Sequence, residues 1–145
     1  MAVTPTPIFT QTPKNGFAKI TGVDGSADGT DADVQLVHTA HATNGGFLTA
    51  LRVIPLSTSG LVVTSAAALR IYLNNGSTVG TASNNQLIFE YTLPITSTNV
   101  SATAAAQSFI LPLMLPMEAG FRIYAGVTAM TANSQWNVTA IAGDY

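Results

Sequence analysis

The chain has 145 residues, of which 47% are hydrophobic and only 8% are charged, and its formal net charge is −2 at pH 7. This length suits one domain, and a composition so apolar and so poor in charge excludes an intrinsically disordered chain. Cysteine is absent and the five basic residues are scattered, which excludes a disulfide scaffold and a basic surface for nucleic acid.

Membrane insertion and secretion are not expected either. The most apolar stretch, 109–117, is too short to cross a bilayer and is interrupted by Pro112 and Pro116. The first five residues offer neither a basic region nor an apolar run, so we predict no signal peptide. We therefore expect assembly in a reducing cytoplasm, where a chain without cysteine has no disulfide to lose.

Residues 1–13 are predicted to form an extended arm that precedes a domain at residues 14–145. Proline fixes φ and lacks a backbone donor, so a segment with three prolines favours neither a helix nor a central strand. One interpretation is a frayed terminus. The other is an arm that lies on a partner and inserts its apolar pair, with the contact residues Pro5, Pro7, Ile8, Phe9 and Pro13.

From Phe17 onward, apolar residues recur at every second position, which is the period of a half-buried strand. The strongest runs are 47–54, 69–73, 87–93, 121–127 and 136–142, and weaker runs lie at 17–21, 34–39 and 108–115. About eight strands at this spacing predict an all-β fold, a two-sheet antiparallel sandwich resembling a jelly roll. The order of the strands does not follow from the pattern.

Each run is expected to bury one face and expose the other. In the run 69–73, Leu69, Ile71 and Leu73 share one face, while Arg70 and Tyr72 share the other. In the run 47–54, the alternation groups Phe47, Thr49, Leu51 and Val53 on one face and Leu48, Ala50, Arg52 and Ile54 on the other.

Glycine after asparagine or aspartate marks the turns between these runs. Asn75-Gly76 follows a clean strand and predicts a tight hairpin or a short bulged loop. Asn44-Gly45 predicts a second turn.

One acidic cluster lies in the Gly-rich stretch before the second run. Calcium takes several oxygen ligands, which an Asp-rich loop can supply, although the spacing matches no EF-hand. We weigh a weak calcium site against a solvated turn region, and we expect no metal or other cofactor. The candidate calcium ligands are Asp24, Asp28, Asp31 and Asp33.

No catalytic machinery is recognisable, so we expect a protein that is not an enzyme. His38 and His41 are three residues apart, which puts them on opposite faces of a strand unless the strand bulges or ends between them. Glu90 and Glu118 are interpreted as an exposed strand position and a turn. The aromatic residues Tyr72, Tyr91, Tyr124, Trp136 and Tyr145 are candidates for a sugar-binding groove, but are more simply core or interface residues.

Both ends of the chain resemble small virion proteins of tailed bacteriophages. The similar segments are Thr-Pro-Ile-Phe-Thr-Gln-Thr-Pro-Lys at 6–14 and Ala-Ile-Ala-Gly-Asp-Tyr at 140–145. The segment Leu-Pro-Met-Glu-Ala-Gly-Phe-Arg-Ile at 115–123 and the threonine-rich strands are similar in style. The family that this resemblance indicates is the cement, or head decoration, proteins of short-tailed phages, which have jelly-roll folds.

The resemblance implies a structural virion protein on the outer surface of the capsid. Such a protein binds the expanded head, bridges neighbouring capsid subunits and stabilises the shell. Its partners would be the major capsid protein and itself, as a homodimer or another homo-oligomer, with no nucleic acid and no membrane. We expect the arm to dock on the capsid, and a sheet edge or face to make a symmetric self-contact.

Two other virion roles share the same fold and remain open. One is a receptor- or carbohydrate-binding module of a tail fibre or spike, which predicts a groove of exposed aromatic residues. The other is a neck or tail accessory protein, which differs from a cement protein in its copy number. An enzyme would require the Asp24–Asp33 loop to meet His38 or His41 in a cleft.

Overall fold

Strands dominate the part of the chain that the structure, a computed structural model, describes, namely residues 12–100 and 107–145. That part also contains one short 3₁₀ helix, Ala82–Asn84. The strands are β1 (Thr12–Pro13), β2 (Gly16–Ile20), β3 (Gln35–Thr39), β4 (Gly46–Ser57), β5 (Leu61–Val63), β6 (Ala67–Asn74), β7 (Asn85–Leu93), β8 (Ser97–Asn99), β9 (Phe109–Met117), β10 (Arg122–Val127) and β11 (Ser134–Asp144).

The strands form two main antiparallel sheets. Sheet A has the order β2-β11-β4-β9, and β1 continues along β11 on the same side as β2. Sheet B has the order β3-β10-β6-β7. Among the eight longer strands, every connection crosses from one sheet to the other except that from β6 to β7. This connectivity is that of a jelly roll, so the predicted all-β sandwich is confirmed.

The core lies between the two sheets and is built from alternate residues of each strand. In β11, Trp136, Val138 and Ala140 point inward and are at most 1% exposed. They pack with Leu51 of β4 and Ile71 of β6 in one apolar cluster. Each fully buried side chain of this size stabilises the fold by about 1.5–3 kcal/mol.

The alternation predicted for β4 is wrong at its first half, because the strand contains a bulge. Leu48 pairs with Ala142 and Ala50 pairs with Ile141, which leaves Thr49 as an extra residue. An extra residue reverses the alternation. Leu48 is therefore fully buried in the core with Leu51 and does not lie on the opposite face.

The turn predicted at Asn75-Gly76 is also wrong in its length. β6 and β7 do form a hairpin, in which Asn74 pairs with Asn85, but residues 75–84 connect them. Asparagine side chains hold this long loop together, since Asn74 Nδ2 donates to Asn85 Oδ1 at 2.8 Å and Asn84 Nδ2 donates to Thr78 O at 2.9 Å. Asn44-Gly45 lies in the connection from sheet B to sheet A.

β5 and β8 form a separate two-stranded ribbon that the sequence did not predict. Val62 and Thr98 of the ribbon are buried, and β8 contacts β4. The apolar side chains Leu61 and Val63 point away and are 69% and 49% exposed. Three-residue strands are too short to show a period, so only the pairing identifies them.

Candidate interaction surface

The outer face of sheet A carries exposed apolar side chains. Residues paired across neighbouring strands lie on the same face, and the register pairs Phe17 with Thr139, Thr139 with Arg52, and Arg52 with Ile110. Phe17 is 74% exposed and Ile110 is 64% exposed. The row beside them joins Ile141, Ala50 and Pro112. We call this surface the open face, and define it by Phe17, Arg52, Ile110, Pro112, Thr139 and Ile141.

Charge on and around the open face is sparse. Arg52 lies within it, and Lys19 lies two residues after Phe17 on the same side of β2. The remaining side chains of the face are apolar or carry a neutral hydroxyl. Neutral groups lose much less solvation free energy on burial than ions do, so this face is suited to burial against another protein.

The outer face of sheet B is covered by the chain itself. Its residues Tyr72 and Tyr124, which pair between β6 and β10, are 0% and 8% exposed. Val34 from the loop before β3 and Val79 from the loop before β7 pack against them. We call this surface the covered face. Each strand was expected to expose one of its faces, but at Tyr72 this does not hold, because the loop before β3 and the loop between β6 and β7 fold over the outer face of sheet B.

A buried carboxylate holds the first of these loops, residues 21–34, on sheet B. Tyr72 Oη donates to Asp24 Oδ2 at 2.6 Å and is 3.1 Å from Ser26 O. Arg70 Nη1 lies 3.6 Å from the same carboxylate oxygen, and Arg70 Nε donates to Glu90 Oε1 at 2.9 Å. Burial raises the pKa of Tyr72, and the hydrogen bond to Asp24 and its negative charge raise it further. The phenol is therefore fixed as a donor.

Two other acidic side chains of this loop, those of Asp28 and Asp31, also accept hydrogen bonds from the loop itself. The Asp28 carboxylate accepts from the hydroxyls of Ser26 and Thr30, which lower the pKa of Asp28 to about 2. Asp31 accepts from the backbone N–H groups of Gly25 and Asp33, at 3.1 and 2.9 Å. Within residues 12–100 and 107–145, no group of three or more His, Cys, Asp or Glu residues is placed to hold a metal ion. Of the calcium candidates, Asp24, Asp28 and Asp31 accept hydrogen bonds that shape the loop, while Asp33 contributes its backbone N–H.

The two histidines lie in different surroundings. β3 ends at Thr39, and His41 is exposed, with its Nδ1 accepting from the N–H groups of Thr43 and Asn44 at 3.2 Å each. His38 is 3% exposed, and its Nε2 is buried without a hydrogen-bond partner. Burial lowers the pKa of His38, and Lys14 adds to the effect.

His38 borders a cavity of about 270 Å³ between the edges of β2 and β3. Lys14 lies at its border, and its Nζ pairs with Asp144 Oδ2 at 3.0 Å. Phe17 and Leu36 also line the cavity and are 74% and 45% exposed. The acidic residues Asp24, Asp28, Asp31 and Asp33 do not line this cavity.

The remaining candidate residues are the aromatic side chains and the two glutamates, and most of them lie in the core, in an ion pair or in a turn. Trp136, Tyr72 and Tyr124 are buried, so they cannot stack on a sugar, while Tyr91 and Tyr145 are half-buried. Glu90 is exposed on β7 and pairs with Arg70, and Glu118 is exposed in the turn before β10, as interpreted from the sequence. No helix in residues 12–100 and 107–145 is long and apolar enough to span a membrane.

Of the predicted arm, the structure places only its end. Pro13 pairs with Gly143 and Thr12 pairs with Asp144, so both are part of sheet A. The contact residues Pro5, Pro7, Ile8 and Phe9 lie outside the described residues.

Comparison with known proteins adds little. No family model matches the chain, and no curated protein matches its sequence. A solved structure of the infectious bursal disease virus Gt strain is similar at 13% identity and a TM-score of 0.28, over 98% of this chain. The match spans 36% of that viral chain. A likeness of this strength establishes neither a shared fold nor a shared function.

Proposed function

We propose that this protein is a structural virion protein, a capsid cement or decoration protein of a tailed phage. It binds the outer surface of the head, bridges neighbouring capsid subunits and stabilises the shell without catalysis. The observation that carries the proposal is the open face, a sheet surface on which Phe17, Ile110 and Ile141 are 74%, 64% and 42% exposed. The resemblance of both chain ends to phage virion proteins supports the capsid as the partner.

The open face has the chemistry of a permanent protein contact. A stable interface takes about 800 Å² from each partner, which is a large share of one side of a domain this small. Scattered exposed apolar residues are ordinary, whereas a contiguous apolar surface marks an interaction site. Here the exposed apolar residues are gathered on one face without being continuous. Phe17 and Ile110 lie at the two ends of one cross-strand row with Thr139 and Arg52 between them, and Ile141 and Pro112 lie in the row beside it.

The described end of the arm, Thr12 and Pro13, belongs to the same sheet as the open face. β1 pairs with β11, so residues 1–11 join the domain at the edge of sheet A, where Thr12 lies opposite Asp144. An arm that starts there and the open face can reach one partner surface together. Two linked contacts raise the affinity for an assembled shell above that for a single capsid subunit. A ligand that binds only the assembled shell stabilises it by mass action.

The first experiment is cryo-electron microscopy of intact particles, to give the copy number and position of the chain. Density repeated over the whole shell, with sheet A against capsid subunits, is expected. Density confined to the tail or neck would contradict the proposal and favour a receptor-binding or accessory role.

Variants then test which surface binds. Phe17→Lys and Ile110→Lys place charge on the open face, and each should reduce occupancy on particles at least tenfold, since a buried unpaired charge costs several kcal/mol. The matched control is Leu61→Lys on the ribbon, because Leu61 is equally apolar and 69% exposed. Equal loss in all three variants would contradict a specific role for the open face.

Deletion of residues 1–11 tests the role of the arm and keeps every described strand. This truncation keeps β1, whereas removal of residues 1–13 would also remove the pairing of Thr12 and Pro13 with β11. We expect the truncated protein to unfold at the same temperature and to bind particles more weakly. Unchanged occupancy would show that the arm does not contact the capsid.

A further inference from the structure

The edges of the two sheets differ in how well they are protected against pairing with another strand. β9 is the edge strand of sheet A. Pro112 and Pro116 lack N–H donors and Met114 has φ +50°, so β9 is poorly suited to regular pairing with another strand on the side away from β4. β2 and β3, at the opposite side of the sandwich, contact each other. The remaining edge is β7, at the end of sheet B.

β7 lacks most of these protections. Residues 85–93 contain no proline and no lysine, and the only charged residue among them is Glu90. A bulge at Ile88, where Ile71 pairs with Phe89 and Tyr72 pairs with Leu87, leaves 89–93 as a regular stretch. Among the described residues, β7 pairs with β6 alone.

The register shows which backbone groups of β7 face outward. Ala68 accepts from Thr128 N at 3.0 Å and donates to Thr128 Oγ1 at 2.8 Å, so its backbone groups point toward β10 and away from β7. Backbone direction alternates along a strand, and Ala68 lies opposite Thr92. The N–H and C=O groups of Thr92 and Glu90 therefore point to the free edge.

We propose that β7 pairs antiparallel with β7 of a second copy, which joins two B sheets across a two-fold axis. With the axis at Tyr91, Glu90 lies opposite Thr92 of the partner subunit and Thr92 lies opposite Glu90 of the partner subunit. The outward groups of these two residues then form four backbone hydrogen bonds. This pairing is independent of what the protein binds on particles.

Two features of β7 favour its own copy as the occupant. First, the pairing places no like charges opposite each other, because Glu90 meets a threonine and its charge is already paired with Arg70 at 2.9 Å. Second, the half-buried rings of Phe89 and Tyr91 lie at this edge, where Tyr91 packs 6.2 Å from the ring of Phe109 in β9. In the proposed register Phe89 lies opposite Leu93 of the partner subunit, which is fully buried, and Tyr91 lies opposite its equivalent, so the Tyr91 ring loses contact with water.

Sedimentation of the purified protein, without particles, tests the proposal directly. A dimer is expected at micromolar concentration. Thr92 is exposed, so Thr92→Glu and Thr92→Lys leave the monomer folded and differ only in sign of charge. In a Thr92→Glu dimer, both new carboxylates lie opposite a Glu90 carboxylate of the other copy, so the dimer should be about tenfold weaker. Thr92→Lys should not weaken the dimer. The difference should shrink in 1 M salt.

Cross-linking tests the register. The chain has no cysteine, so Tyr91→Cys introduces the only thiol, at a pair whose Cα atoms would be about 4.5 Å apart, within disulfide range. Oxidation should give a covalent dimer, and Thr49→Cys on sheet A should not. A monomeric wild type, equal effects of Thr92→Glu and Thr92→Lys, or no cross-link at Tyr91→Cys in a folded variant would each overturn the proposal.

Discussion

The outer faces of the two sheets have similar sequence patterns but different surroundings. On sheet B, the loop 21–34 covers Tyr72 and fastens itself through Asp24, which is 2% exposed. On sheet A, Phe17 and Ile110 occupy corresponding outward positions and are largely exposed. The loops that cover sheet B therefore form a second, smaller apolar cluster with it, whereas sheet A keeps an outer surface that is suited to a partner. The following changes test this difference, from the largest expected effect to the smallest.

Asp24→Ala should have the largest effect, because it removes the acceptor of Tyr72 Oη and the carboxylate beside Arg70. Loss of one partner from a buried, charged pair leaves the others unsatisfied, and we expect the free energy of unfolding to fall by about 3 kcal/mol. Arg52→Ala on the open face is the control and should change it by less than about 0.5 kcal/mol. Urea denaturation measures both. Equal effects would mean that the loop does not hold the covered face.

Gly29→Ala tests how closely the loop packs on Tyr72. Gly29 has φ +74°, and a Cβ there would lie 2.9 Å from Tyr72 Cδ1. Gly120 is a matched control, because its φ is +75° but a Cβ there would meet nothing within 4 Å. In both variants the left-handed backbone should lower the free energy of unfolding by about 1 kcal/mol. In Gly29→Ala the clash with Tyr72 should lower it by about 1–3 kcal/mol more. A similar cost for both would show that the loop moves aside freely.

Phe17→Ser and Ile110→Ser should leave the free energy of unfolding within about 0.5 kcal/mol of the wild type, since neither side chain is buried in the isolated chain. Thermal or urea denaturation of the purified protein checks this. A large loss of stability would show that part of the chain covers the open face, which would remove the distinction between the two faces.

The smallest expected effect is on the pH dependence of the loop. The pKa of Asp28 is lowered from 3.8 to about 2, because the Ser26 and Thr30 hydroxyls donate to the ionised form. A depressed pKa means that these contacts stabilise the folded loop above pH 4 and are lost as the pH falls toward 2. NMR titration should give this low pKa in the wild type. In Ser26→Ala it should rise toward 3.8, and an unchanged value would contradict the assigned cause.

The strands were the most predictable part of this protein. Period-two runs identified all eight longer strands because each contributes alternate residues to one core, as Trp136 and Val138 do in β11. The bulges at Thr49 and Ile88 were not predictable, because nothing in the local pattern shows which residue a partner strand will skip. The ribbon of β5 and β8 was missed for a different reason, since strands of three residues are too short to show a period.

The open face was less predictable than the fold. Alternation placed Phe17 and Arg52 on strands, yet it could not show that they share a row across β11, since that row depends on the register of three strands distant in sequence. The Asp-rich loop was noticed for its carboxylates, but the hydrogen bond from Tyr72 that explains Asp24 spans 48 residues.

The sequence by itself determined an all-β sandwich with a charge-poor surface, because alternation and composition are local properties of the chain. Only the tertiary structure decided which outer face is covered and which is open, and which edge remains free to pair. Those properties depend on where the loop 21–34 returns to the sheet and on which strands become neighbours. Tyr72 and Phe17 occupy similar alternating positions, and Tyr72 is buried because the loop that carries Asp24, 48 residues away, and the nearer Val79 cover it.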